Sequence, residues 1–157
     1  MIMIQRVQSV YLFMMALLSS LLIPGSFLNF TEKTGSVIRV SFNEVVRDNA
    51  GKATELVEKL MPLSVLIVLI PVISLATIFF FKKRKFQLRL SRFLILLAGI
   101  LVVVIIHVCL SIVTKFDAEI IPGFKMILPV LILITSILAL RGIRKDDRLV
   151  KSYDRLR

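Results

Sequence analysis

Apolar residues in this chain gather into four long runs separated by blocks of charge: Val10 to Leu28, Met61 to Phe81, Phe93 to Val113 and Met126 to Leu140. Pro24 and Gly25 interrupt the first near its end. Each of the first three is long enough to cross a hydrocarbon core of ~30 Å at ~1.5 Å per residue. The fourth is short. Ile120, Ile121 and Phe124 extend it through the Pro122-Gly123 turn, and Arg141 can snorkel at its far end, so the span runs from about 124 to 141. The pattern predicts an all-α membrane protein, a four-transmembrane-helix bundle forming a single membrane domain over residues 1–157.

Between the spans lie an outer loop over 29–60, a basic loop over 82–92, a short second outer loop from Thr114 to Lys125, and a basic tail over 142–157. In the first loop, β-branched residues from Ser36 to Phe42 predict a short strand with Ile38, Val40 and Phe42 on one face, inside a small loop that could form a β-hairpin. Asn49 to Gly51 carries turn chemistry. Thr54 is read as the cap of a helical turn, with Glu55 and Glu58 near its positive end. The second outer loop is read as a connector only.

Composition agrees with this division. Of 157 residues, 57% are hydrophobic, yet a fifth are charged, so the charges must be segregated from the apolar runs. Mean hydropathy is +0.91. The single cysteine, Cys109, excludes an internal disulfide.

The charges orient the chain, because Lys and Arg beside span ends are retained in the cytoplasm. Arg6, Lys82, Lys83, Arg84, Lys85, Arg89, Arg92, Arg141, Arg144, Lys145, Arg148, Lys151, Arg155 and Arg157 share one side with only Asp146, Asp147 and Asp154. The other side balances its basic and acidic residues, so the whole formal net charge of +11 belongs to one face. Both termini are therefore expected in the cytoplasm. A cleaved leader at the first run is the weaker reading, since the run is long for one and no Ala-x-Ala site follows.

The chemistry that charged groups could supply is sparse. No Asp, Glu, Lys or Arg lies between the ends of any apolar run, which disfavours a proton relay or ion-coupled transporter. His107 is the only histidine. It sits toward the outer end of its span with Ser111 one turn on, and is read as a neutral packing residue bonded to that serine. Cys109 lies ~200° around the helix from it, so the two cannot share a metal ion. No metal, cofactor or catalytic residue is assigned. Ser19, Ser20, Ser64, Ser74, Thr77, Ser111, Thr135 and Ser136 are read as close-packing contacts between helices. Pro71, midway through the second span, removes the donor to the Ile67 carbonyl and predicts a kink. Glu55, Glu58, Asp117 and Glu119 are read as a solvated face and not as a carboxylate pair for acid–base work.

In the tail, Leu149, Tyr153 and Leu156 fall at helical spacing on an otherwise charged segment. Contact with a partner or with anionic lipid is expected at Arg6, Lys82, Lys83, Arg84, Lys85, Arg89, Arg92, Arg144, Lys145, Arg148, Lys151, Tyr153, Arg155 and Arg157, at ~1 kcal/mol per basic residue near an anionic leaflet. Positive-inside topology alone is the competing explanation for the same charges.

Three segments carry a resemblance. Ile4-Gln5-Arg6-Val7-Gln8-Ser9-Val10-Tyr11-Leu12, Phe86-Gln87-Leu88-Arg89-Leu90-Ser91-Arg92 and the ending from Arg144 to Arg157 together resemble domain of unknown function 4293, a family of small four-helix membrane proteins of Bacteroidota. The resemblance covers essentially the whole chain. It implies a bacterial inner membrane and hence a periplasmic outer loop, and it brings no activity or functional residues. Met1 and Ile2 precede the start that the resemblance implies, leaving Met1 and Met3 as alternative starts.

The expectation is a non-enzymatic accessory or scaffold subunit of a larger inner-membrane assembly. Its basic cytoplasmic face would meet lipid head groups and a membrane-protein partner, for which a ribosome or translocon is one candidate; DNA is not expected. The alternative is a lipid-handling or small-solute transporter with a groove at Pro71. An intramembrane enzyme built on His107 ranks third.

Overall fold

The computed structural model describes residues 3–49, 54–80 and 83–155, without the side chains of 3–6 and 148–155. Four helices, α1 (Met3–Ser20), α2 (Met61–Phe79), α3 (Arg84–Phe116) and α4 (Leu128–Arg155), accompany five strands. The strands are β1 (Ser26–Glu32), β2 (Val37–Ser41), β3 (Glu44–Asp48), β4 (Glu55–Lys59) and β5 (Ala118–Ile121).

α1 packs against α2 and α4, and α3 packs against the same two, so the helices close a ring. Leu12, Met15, Leu63, Ile67, Ile70, Leu94, Leu101 and Ile132 point inward and are buried. On the opposite faces Val65, Val68, Val72, Leu75 and Phe79 of α2, and Leu96, Ile100, Val103, Ile106 and Leu110 of α3, recur at helical spacing and are exposed. Helices apolar on both faces need a solvent that is itself apolar. α2, α3 and the segment Phe124–Asp147 are long and apolar enough to span a membrane, whereas the apolar stretch of α1, Val7–Ser20, is shorter.

The strands overturn the all-α expectation. They form one antiparallel sheet of order β4-β3-β2-β1-β5 that covers one end of the ring. Phe27, Leu28, Phe30, Ile38, Val40 and Val45 bury their side chains in the same core as the helices. Phe30 lies across from Ile38 on β2 and from Ile120 on β5.

Each departure has a local cause. The run from Val10 to Leu28 is apolar throughout, but its helix stops at Ser20, and Gly25 at φ +69° turns the chain into β1. Phe27 and Leu28 are therefore greasy because they lie under the sheet, not because they span. A bulge between Ser26 and Leu28 lets these consecutive residues both be buried, against the usual alternation of a strand. Glu55 to Lys59 forms β4, not a capped helical turn, since pairing with β3 outweighs the local preference. The second outer loop is also more than a connector: α3 runs on to Phe116, Asp117 ends it in the left-handed conformation, and β5 then pairs with β1. The strand expected at Ser36 to Phe42 is β2, with Ile38 and Val40 buried and Phe42 just beyond its end. The turn expected at Asn49 to Gly51 falls largely outside the described residues.

Candidate functional site

The ring has two chemically different ends. At the end away from the sheet, the α2–α3 connection and the C-terminal part of α4 come together, and Arg84 Nη1 donates to the carbonyl of Asp146 over 3.4 Å. Two basic segments distant in sequence thereby become one face. Lys83, Lys85, Arg89, Arg92, Arg141, Arg144 and Lys145 are exposed on it, while Arg84 is half-buried. Lys82 and Arg157 lie outside the described residues, as do the side chains of Arg6, Arg148, Lys151, Tyr153 and Arg155. The backbone of α4 is helical through Arg155, which carries most of the tail.

Beneath this face the ring interior is polar. Gln8 Nε2 donates to the carbonyl of Gly142 over 3.3 Å, joining α1 to α4. Gln87 Nε2 donates over 3.4 Å to the carbonyl of Thr77 in the last turn of α2, joining α3 to α2. Ser74 Oγ donates over 2.6 Å to the Leu12 carbonyl. Gln8, Gln87 and Ser91 are 5%, 4% and 1% exposed, so three polar residues of the recognisable segments serve packing between helices and not the surface. Nothing in the sequence separated them from their exposed neighbours except helical phase. Of the small polar residues, Ser64 ties α2 to the sheet by donating to the Phe42 carbonyl over 3.0 Å, whereas Ser20, Thr77, Thr135 and Ser136 bond within their own helices.

At the sheet end three ion pairs match part of the charge. Glu32 accepts from Thr34 and from Arg47, which together hold its carboxyl below the usual carboxylate range. The Arg47 guanidinium also lies 5.5 Å above the ring of Phe116. Arg39 pairs with Asp48 at 2.9 Å, and Lys33 with Asp117, whose carboxylate raises the lysine pKa. Lys125 donates to the Pro24 carbonyl.

Between the sheet, the start of α2 and the last turns of α3 lies a cavity of about 260 Å³. Val57, Leu63, Val104 and Val108 form its apolar wall, and Glu58, Lys59, His107 and Lys115 its polar margin. His107 is exposed there. Ser111 lines the same cavity, yet among the described residues no hydrogen bond joins it to His107, which departs from the expected packing pair. Sequence reasoning missed this site because two of its walls are strands that it did not foresee. Among the described residues no group of three or more His, Cys, Asp or Glu could hold a metal ion.

One family model, described as a domain of unknown function (DUF4293), matches residues 4–156. No curated protein matches the chain.

Proposed function

The chain belongs to that family of unknown function, and from this premise we propose that it is a non-enzymatic inner-membrane protein, an accessory or scaffold subunit that engages a larger assembly through its basic face. Both termini are cytoplasmic in this reading, because the basic residues cluster at the end that carries them. The observation that supports it is the contact of Arg84 with the Asp146 carbonyl, which merges the 83–92 and 141–147 segments into one exposed cationic surface. Such a surface attracts anionic lipid head groups and acidic or phosphate-rich partners.

The test is purification of the tagged protein from its native membrane in mild detergent, followed by mass spectrometry, beside a variant with Lys82, Lys83, Arg84 and Lys85 neutralised. A stoichiometric partner that disappears in the variant is the expected result. A protein that emerges alone, carrying only lipid, sinks the accessory reading. The alternative, a lipid-handling or small-solute transporter, draws its support from the cavity at the sheet end; Pro71 lines neither that cavity nor the apolar groove on the other side of α3.

A further inference from the structure

We propose that the cavity beneath the sheet is a binding site for an anionic phospholipid drawn from the leaflet on the sheet side, its head-group phosphate held by Lys59 and Lys115 and its acyl chain lying against Val104, Val108 and Leu63. The site is independent of the basic face at the other end of the ring.

Charge provides the first argument. Of the basic residues described at the sheet end, Lys33, Arg39 and Arg47 are in ion pairs, and Lys125 is bonded to a carbonyl. Lys59 and Lys115 are the described ones whose side chains have neither, and both border this cavity. They come from different elements, the end of β4 and the last turn of α3. Fold geometry thus concentrates unmatched positive charge at one opening. Glu58 on the margin and Glu44, across from Lys59 on β3, oppose it in part, but neither forms an ion pair with either lysine, and the His107 imidazole lies beside them.

Position provides the second. The cavity spans the first turn of α2 and the last turns of α3, where apolar helix surface gives way to the charged sheet end. A phospholipid has a gradient of the same direction, apolar chain below and phosphate above. Pro62 on α2 and His107 on α3 both line the cavity and are exposed, so it opens outward between these helices, with the exposed apolar Val103 one turn from His107 leading a chain in from the bilayer side. A volume of about 260 Å³ lies a little below the range of drug-sized pockets, which suits a head group and the upper part of one chain.

The chain contains no tryptophan, so Phe116→Trp at the cavity wall gives a single reporter that preserves an aromatic ring beneath Arg47. The full-length variant in detergent is titrated with phosphatidylglycerol bearing brominated acyl chains, and with phosphatidylcholine bearing the same chains. Expected are saturable quenching that favours phosphatidylglycerol, a loss of roughly 25-fold in affinity in Lys59→Gln/Lys115→Gln, from ~5-fold for each lysine, and tighter binding in Glu58→Gln. Equal quenching by the two lipids, or a double variant that binds as before, overturns the proposal. So does relief of quenching by soluble glycerol phosphate, which would mean that the head group alone is recognised. Should Phe116→Trp fail to fold, native mass spectrometry replaces it: one phosphatidylglycerol retained by the unsubstituted chain and lost in the lysine double variant is the required result, and equal retention overturns the assignment.

Discussion

Ser19 Oγ donates a 3.1 Å hydrogen bond to the carbonyl of Ile67, the carbonyl that Pro71 leaves without its helical donor. Ser19 and Ile67 are fully buried, so no solvent could substitute. α2 runs unbroken from Met61 to Phe79 across the proline because a side chain from α1 supplies what the backbone lost. Ser74 Oγ, bonded to the Leu12 carbonyl, returns the arrangement from α2 to α1. Two reciprocal bonds therefore set how these helices lie along each other.

Ser19→Ala is expected to destabilise the protein by about 1–2 kcal/mol, the cost of a buried carbonyl left unpaired. In a Pro71→Ala background the restored N–H can reach Ile67 again, so the penalty shrinks. Unfolding in detergent across the double-mutant cycle reads the coupling. Strictly additive effects would rule out the link between the serine and the proline.

Ser91 tests the opposite case. Its Oγ is buried with no hydrogen-bond partner among the described residues, so Ser91→Ala should be neutral or stabilising by up to ~1 kcal/mol. Gln87→Leu, one turn earlier, should instead cost about 1 kcal/mol because it removes a buried hydrogen bond to the Thr77 carbonyl of α2. Thermal shifts of the two variants must have different signs or sizes for this account to stand.

A Cβ at Gly142 would sit 3.2 Å from Gln8 Cγ. Gly142→Ala should be tolerated, at a cost of ~1 kcal/mol or less, since the glutamine side chain can swing aside. Gly142→Leu should cost about 2 kcal/mol or more by forcing α1 away from α4. Equal stability of the two variants in detergent unfolding would mean that the helices are not in close contact there.

Hydrogen bonds from Thr34 and Arg47 hold the Glu32 carboxyl below its ordinary range. A group whose folded pKa is depressed contributes stability that is present above its unfolded pKa and lost as pH falls through the folded one. The sheet end should therefore loosen in acid, below the ordinary carboxylate range, and Glu32→Gln should flatten that part of the stability profile. Lys33 has the reverse sign: its raised pKa makes the Asp117 pair weaken only at strongly alkaline pH, where so exposed a pair matters little.

Orientation is testable with single cysteines in a Cys109→Ser background. Thr31→Cys on β1 should react with a membrane-impermeant maleimide in intact spheroplasts. Lys145→Cys on the basic face should react only after the membrane is opened. The reverse labelling pattern would invert the topology and remove the cytoplasmic placement of the basic face.

The apolar runs, the segregation of charge and the carbonyl released by Pro71 were legible residue by residue, because hydropathy, the blocks of charge between apolar runs and the missing proline N–H are properties of local sequence. Three-dimensional pairing decided the rest. β4 and β5 are only five and four residues long, too short for periodicity to separate strand from turn, and β5 finds β1 only once α2 and α3 have carried the chain across and back. Phe27 and Leu28 looked like the end of a span because burial under a sheet and burial in lipid demand the same side chains. Gln8 and Gln87 turned inward by helical phase, while Lys59 and Lys115, far apart in sequence and each unremarkable there, came to share one cavity when β4 closed over the end of α3. Hydrophobicity specifies that a residue leaves water; only the pairing of strands and the packing of helices specifies what it meets instead.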